Sequence, residues 1–251
     1  MNNIKISAVI ITLNEEKHIQ ECIDSVKDIV DEIVVVDSFS TDKTEVICRK
    51  NGVRFFQNEW EGYGQQKNWG NQQATYDYIL SIDADERLSE DLKKAIEDIK
   101  KNWQYDGYSV NRLMYFQGRK LKFCLYPDRQ IRFFDRRKTK WNESIVHERI
   151  ITKGITLKHI NKDIIHFEDN LHELVNAQND YSTLSAKYCF DFGKKPNVFK
   201  LILSPISSFI KNYFFKLGFL DGAFGFFICV VIAHYHFLKY AKRIELYKTK
   251  T

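Results

Sequence analysis

No Cys-x-x-Cys and no paired cysteine spacing occurs in these 251 residues: Cys22, Cys48, Cys124, Cys189 and Cys229 stand apart. That scatter speaks against a disulfide framework or a zinc site. With no signal peptide in view, it implies reduced thiols in a cytosolic protein. A Gly-x-Gly-x-x-Gly fingerprint is missing, as is a Walker lysine, which disfavours a dinucleotide oxidoreductase or a P-loop NTPase. There is no internal repeat or low-complexity linker. The longest run without Lys, Arg, Asp or Glu is Gly222 to Leu238, with His234, Tyr235 and His236 near its end and Lys216 and Asp221 upstream. It falls short of the roughly 18–20 clean apolar residues that a spanning helix needs, so interfacial helices are expected instead.

The hydrophobic content of 44% is enough for a real core, and the length suits one large α/β domain or a domain with an appendage. The net charge of +5 conceals an asymmetry: residues 187–251 carry +8, and the preceding 186 carry −3. The basic quarter is also rich in Phe and Tyr, a combination suited to an anionic membrane surface. A nucleic-acid role would rest on that basic tail alone, and none is expected.

Along the chain, Ile4 to Leu13 is a β-rich apolar run ending at Asn14-Glu15-Glu16, and Ile19, Cys22, Ile23 and Val26 follow at helical spacing. Glu32 to Val36 predicts a second strand ending on Asp37. Ser38, Ser40, Thr41 and Asp42 offer caps for a helix over Lys43 to Asn51, with Gly52 as its stop. Val53 to Gln57 predicts a third strand, Gln65 to Ala74 a helix, Tyr78 to Ile82 a fourth strand and Ser89 to Lys101 an amphipathic helix. This alternation predicts an α/β fold: a parallel sheet with helices on both faces. Beyond Gly107 come short strand-like runs at Tyr108–Met114, Arg119–Leu125 and Gln130–Phe134. A helix is then expected over Asn170 to Phe190, and a Phe-, Ile- and Tyr-rich stretch over Val198 to Tyr240.

The most informative stretch is Tyr78-Ile-Leu-Ser-Ile-Asp-Ala-Asp-Glu86, an apolar strand that stops on two carboxylates spaced i, i+2. Asp83 and Asp85 would stand at the carboxyl edge of the sheet and could hold a divalent cation through hard oxygens. Such a cation implies a phosphorylated ligand, because it bridges protein carboxylates to phosphate oxygens. A solvated turn is the plain alternative, but Asn14, Glu15 and Asp37 end other strands and would line the same crevice.

Thr12-Leu13-Asn14-Glu15-Glu16, Val36-Asp37-Ser38-Phe39-Ser40-Thr41-Asp42, Gly64-Gln65-Gln66-Lys67-Asn68, Asp83-Ala84-Asp85-Glu86 and Val146-His147-Glu148 together resemble glycosyltransferase family 2, with its GT-A fold. More narrowly they resemble the bacterial lipopolysaccharide-core β-1,4-glucosyltransferases, over nearly all of the chain. The Gly-x-Gln-Lys-Asn and Val-His-Glu pieces are the more specific. The resemblance implies a GT-A, Rossmann-like domain over 1–186 and a basic, aromatic, helical extension over 187–251 that contacts a membrane or the acceptor. It implies that Thr12, Asn14 and Glu15 line a nucleotide pocket, that Asp37 bonds the base, and that Lys67 approaches base or phosphates. Asp83 would lie by ribose and cation, and Asp85 would ligate Mg²⁺ or Mn²⁺ directly. The implied reaction is inverting transfer of a hexose, glucose first, from a UDP-sugar to a saccharide or glycolipid acceptor such as lipopolysaccharide core. Its place would be the inner face of the cytoplasmic membrane, where the protein is peripheral. Inversion needs a base for the acceptor hydroxyl; Glu148 is the candidate and Asp128 the second choice. One departure is Phe39, where relatives often carry Gly, and a bulky residue there would alter the turn after Asp37.

Other readings stay open. Asp37 could cap the following helix, and Glu148 could be a surface ion-pair partner. Trp141 or Trp60 could stack on a sugar face. His147 and His166 could aid metal or phosphate binding, though structural histidines are commoner. Arg129, Arg132, Arg136, Arg137, Lys138 and Lys140 could meet a phosphorylated ligand or form a solvated basic face, and strand alternation would split them between two faces. The alternatives to the main function are transfer to a polyprenyl phosphate, or a membrane scaffold that binds nucleotide-sugar without turnover.

Overall fold

The computed structural model describes residues 3–145 and 148–249. Val146 and His147, from the Val-His-Glu triplet, lie outside the described residues. The first half forms β1 (Ile6–Thr12), α1 (Ile19–Val26), β2 (Glu32–Asp37), α2 (Thr44–Lys50), β3 (Arg54–Gln57), α3 (Tyr63–Gln73) and β4 (Tyr78–Asp83), then β5 (Glu86–Leu88) and α4 (Glu90–Lys101). β1 pairs in parallel with β2 and β4, and β2 with β3. Both faces of these strands are covered. Ala8 and Ile10 of β1 share a core with Ile19 of α1, Cys48 of α2 and Leu92 of α4. Val9 and Ile11 face the opposite core, which holds Trp69 of α3. α3 sits very close to the sheet because Gly70 has no side chain: a Cβ there would lie 2.7 Å from Val9 Cγ1 and 2.8 Å from Val36 Cγ2.

β6 (Gly107–Phe116), β7 (Arg119–Lys120), β8 (Asp128–Asp135) and β9 (Leu157–Glu168) complete a mixed sheet in the order β3-β2-β1-β4-β8-β6-β9-β5, with β7 on the far end of β6. β4–β8, β5–β9 and β6–β7 are antiparallel. Three expectations change. The run Arg119–Leu125 yields only the two residues of β7, because the Asp221 carboxylate accepts N–H bonds from Lys122, Phe123 and Cys124 at 2.8–3.0 Å and curls that segment away from strand geometry. The twelve residues of β9 carried no strand expectation. α2 starts at Thr44 rather than Lys43, and Asp42, one of the residues expected to cap it, accepts from Thr44 N–H at 2.9 Å and from the Thr44 hydroxyl at 2.6 Å.

The chain divides into two compact units, Met1–Arg112 with Arg129–His166, and Leu113–Asp128 with Phe167–Thr251. The second unit holds α5 (Leu171–Asp191), α6 (Val198–Ile210), a π-helical turn over Lys211–Phe215, a 3-10 turn over Gly218–Asp221 and α7 (Gly222–Lys248). Its own core gathers Phe116, Leu121, Leu174, Ile228 and Val231. Asn170 and Asn197 cap α5 and α6 by accepting the N–H of Glu173 and Lys200. The stretch Gly218–Lys248 is long and apolar enough to cross a membrane by length and composition, 18 consecutive residues of it averaging a hydropathy of 1.6. That differs from the expectation of no such helix: His234 and His236 are polar but do not interrupt the helical backbone.

Candidate active site at the carboxyl ends of the parallel strands

Register assembles the site. Thr12 stands opposite Asp37 across β1–β2, and Ile11 opposite Asp83 across β1–β4. The strand ends named from sequence therefore reach one edge, where open α/β sheets bind ligands. The loops after β1 and β2 are tied together. Asn14 N–H donates to Ser40 Oγ at 2.7 Å, Thr41 N–H donates to Asn14 Oδ1 at 2.8 Å, and Glu15 N–H donates to Thr44 Oγ1 at 2.8 Å. Asp37 is fully buried, and its two oxygens accept from the Ser40 N–H, at 2.8 Å, and from the Ser40 hydroxyl. Its carboxylate thus shapes the turn. Thr12 Oγ1 is buried with no hydrogen-bond partner among the described residues. Phe39 takes the left-handed φ of 62° that glycine adopts easily, and its ring is half exposed. The bulky residue therefore occupies the turn without abolishing it.

Lys67, only 3% exposed, is the hub of the other half. Its Nζ lies 3.1 Å from Asp83 Oδ1, 2.8 Å from Glu148 Oε1 and 4.7 Å above the Trp141 ring. Gly64 makes this possible: a Cβ there would lie 2.0 Å from the Asn142 carbonyl, so only glycine lets the segment carrying Glu148 rest on the start of α3. Asn68 secures the same segment, accepting from Trp141 N–H and donating to the Trp141 carbonyl, both at 2.9 Å. Trp141 is buried beneath the lysine, so its ring has no face for a sugar. Trp60 remains more open, edge-on to Tyr63 at 5.5 Å.

Sequence reasoning did not single out the pair Arg132–Glu86. Both are buried and ion-paired. Arg132 Nη2 also reaches Asp83 Oδ2 at 3.2 Å, and Glu86 Oε2 accepts the Asp83 N–H at 3.0 Å. Burial alone would raise the Asp83 carboxyl, but Lys67 and Arg132 hold it well below the usual range. Burial pushes the Glu86 carboxyl up, against the pull of Arg132. The basic cluster splits accordingly. Arg132 turns inward on β8, while Arg137 and Lys138 stay exposed on Asp135 and Asp106.

Asp85 lies beside His166, which β9 delivers: Asp85 Oδ2 is 3.4 Å from His166 Nδ1, and β9 pairs His166 with Glu86. Burial would raise the Asp85 carboxyl, yet the charge and hydrogen bond of His166 keep it lowered. Asp85 Oδ1 is buried with no hydrogen-bond partner among the described residues. No group of three or more His, Cys, Asp or Glu forms a metal cage among those residues. An orphaned carboxylate oxygen beside an imidazole nonetheless fits the hard-oxygen and nitrogen donors that a divalent cation takes. Asp128, the alternative base, opens β8 and belongs to the second unit.

The family model described as "Glycosyl transferase family 2" matches residues 7–165. The chain belongs to glycosyltransferase family 2. This member is 33% identical over 255 residues to an uncharacterized glycosyltransferase of Rickettsia typhi, covering 96% of this chain and 87% of the relative. It is 32% identical over 260 residues to the lipopolysaccharide core biosynthesis glycosyltransferase LpsC of Rhizobium meliloti, covering 98% and 94%. Among solved structures, it superposes on glucosyl-3-phosphoglycerate synthase from Mycobacterium tuberculosis, crystallised with Mn²⁺, UDP and glucosyl-3-phosphoglycerate. That match has a TM-score of 0.50 and 18% identity over 74% of this chain and 80% of the other, and it shows the shared GT-A fold. This family 2 chain is thus a glycosyltransferase with a nucleotide-sugar-binding fold.

Proposed function

We propose that this glycosyltransferase moves a hexose, glucose first, from a UDP-sugar to a lipid-linked saccharide such as lipopolysaccharide core, with inversion, at the inner face of the cytoplasmic membrane. The observation that carries the reading is Asp85. Among the described residues its Oδ1 is buried and unpartnered at the strand edge shared by Thr12, Asp37 and Asp83, with His166 at 3.4 Å on its other oxygen. The name of the Rhizobium relative supports the acceptor class, and the Mycobacterium structure, which holds Mn²⁺ and UDP, supports the donor and cation.

In this reading Asp85 and His166 would hold Mg²⁺ or Mn²⁺. The chemistry such a cation would supply there is neutralisation of the charge that develops on the departing diphosphate. Thr12 offers its unpartnered hydroxyl to the nucleotide, with the Asn14–Glu15 loop and Asp37 forming the wall beside it. Lys67 keeps Asp83 ionised and pins Glu148. The acceptor oxygen bonds to the anomeric carbon as the bond to the diphosphate oxygen breaks, and the acceptor's proton passes to the Glu148 carboxylate.

The test is a UDP- and other nucleotide-sugar panel on the purified full chain, with and without Mn²⁺, scored by nucleotide release. We expect release from UDP-glucose that requires the cation and is lost in Asp85→Ala while the fold persists. Near-normal release by Asp85→Ala in metal-replete buffer would overturn the metal role. No release with any donor would favour a scaffold that only binds nucleotide-sugar.

A further inference from the structure

The second unit presents an apolar surface that its own core does not use. On α6, Val198, Phe199, Ile202, Leu203, Ile206 and Ile210 are all exposed, Phe199 at 78%. At 100° per residue they fall within an arc of roughly 140°. The other side of α6 meets α7 through Ser204, 3.4 Å from His236, and at the edge of the arc half-buried Phe209 lies 5.9 Å from Phe226. The arc is therefore the free face of a helix whose other face is already committed. Phe214 and Phe215, the latter 81% exposed, extend the apolar surface through the π-helical turn.

Charge indicates what covers it. From Phe192 to Leu220 the chain has five lysines, Lys194, Lys195, Lys200, Lys211 and Lys216, and neither Asp nor Glu. Lys200 and Lys211 lie along one margin of the arc, where their stems can follow the apolar surface while the ammonium groups reach outward. A helix with one wide apolar face and a purely cationic border matches a surface with acyl chains below and anionic headgroups at its rim. α7 is the longer apolar helix, but it lies against both α5 and α6 and buries Gly225, Ile228, Cys229, Val231 and Tyr235. Crossing a bilayer with α7 would strip those contacts, whereas laying α6 on a bilayer disturbs none.

We infer that α6 is an in-plane membrane anchor that inserts the Val198–Ile210 face into an anionic phospholipid surface, and that α7 is its internal support and not a membrane span. This deepens the membrane location proposed above and names the element responsible. The test is flotation of the full chain with vesicles of phosphatidylcholine alone or mixed with phosphatidylglycerol. Wild type should float with the mixed vesicles, lose binding in high salt, and be released by alkaline carbonate. Ile202→Glu with Ile206→Glu should weaken binding roughly tenfold or more. Both positions are exposed, so the melting temperature should hold. Lys200→Glu with Lys211→Glu should weaken binding to mixed vesicles without touching the apolar face. Val46→Glu, which alters an equally exposed apolar residue on α2, should bind as wild type.

Undiminished flotation of the Ile202/Ile206 variant, or resistance of wild type to carbonate, would overturn the proposal. Flotation that follows this pattern in a protein that releases no nucleotide from any donor would support the anchor and refute the transferase reading separately.

Discussion

Glu32, the first residue of β2, offers a quantitative test of how the parallel strands are held together. Its side chain is 9% exposed and joins four segments. It accepts from the Ser7 hydroxyl of β1 at 2.5 Å, from the Thr75 N–H at 2.7 Å and hydroxyl at 2.6 Å ahead of β4, and it pairs with Arg54 of β3. Burial alone would raise the carboxyl, but these bonds hold it at about 2 against an ordinary 4.5. A carboxyl lowered in the folded state stabilises above its unfolded value and loses that contribution as pH falls through the folded one. The difference corresponds to about 3.5 kcal/mol at pH 7 and about 1.5 kcal/mol at pH 3, as upper figures. Glu32→Gln removes the charge and turns an NH₂ toward groups that donate, which adds a cost independent of pH. Urea unfolding of wild type and variant at both pH values isolates the titrating part, since all other carboxyls cancel in the difference. The stability gap should shrink by about 2 kcal/mol from pH 7 to pH 3. A gap that stays constant over that interval would refute the reasoning.

Glu148→Gln should lower turnover by about 10²-fold or more while UDP binding by calorimetry is retained. Unchanged turnover would move the base role to Asp128, where Asp128→Asn should then carry the loss. Arg132→Met leaves Glu86 and Asp83 without their shared cation and should cost about 3–5 kcal/mol. In the double variant with Glu86→Gln, the loss measured by urea unfolding should be smaller than the sum of the singles. Gly64→Ala should displace the segment that bears Glu148, costing about 1–3 kcal/mol by thermal unfolding, and an unshifted melting temperature would show that the Asn142 carbonyl yields freely.

The parallel half of the fold was readable locally. Runs such as Ile-Ser-Ala-Val-Ile-Ile-Thr and Glu-Ile-Val-Val-Val-Asp are buried on both faces, so they are apolar throughout and end abruptly where they meet the ligand edge. β9 was not readable, because Leu-Lys-His-Ile-Asn-Lys-Asp-Ile-Ile-His-Phe-Glu sets Lys158 and Lys162 on one face and His159, Asn161 and Asp163 on the other, so neither face reads as apolar. With that strand unseen, His166 had no reason to meet Asp85. Arg132 was hidden for a different reason: among five other basic residues between Arg129 and Lys140, composition suggests a solvated face, and only the strand's facing sets one guanidinium inward.

What the sequence determined by itself was the alternation of strands and helices and the placing of Thr12, Asp37, Asp83 and Asp85 at strand ends, since propensity, capping and apolar runs act over a few residues. Tertiary structure alone decided the charge arrangement around those carboxylates: Lys67 between Asp83 and Glu148, Arg132 on Glu86, and His166 beside Asp85. Each of these contacts joins residues from different elements. It depends on strand order and on glycines that let backbones touch, and neither is written in any local pattern.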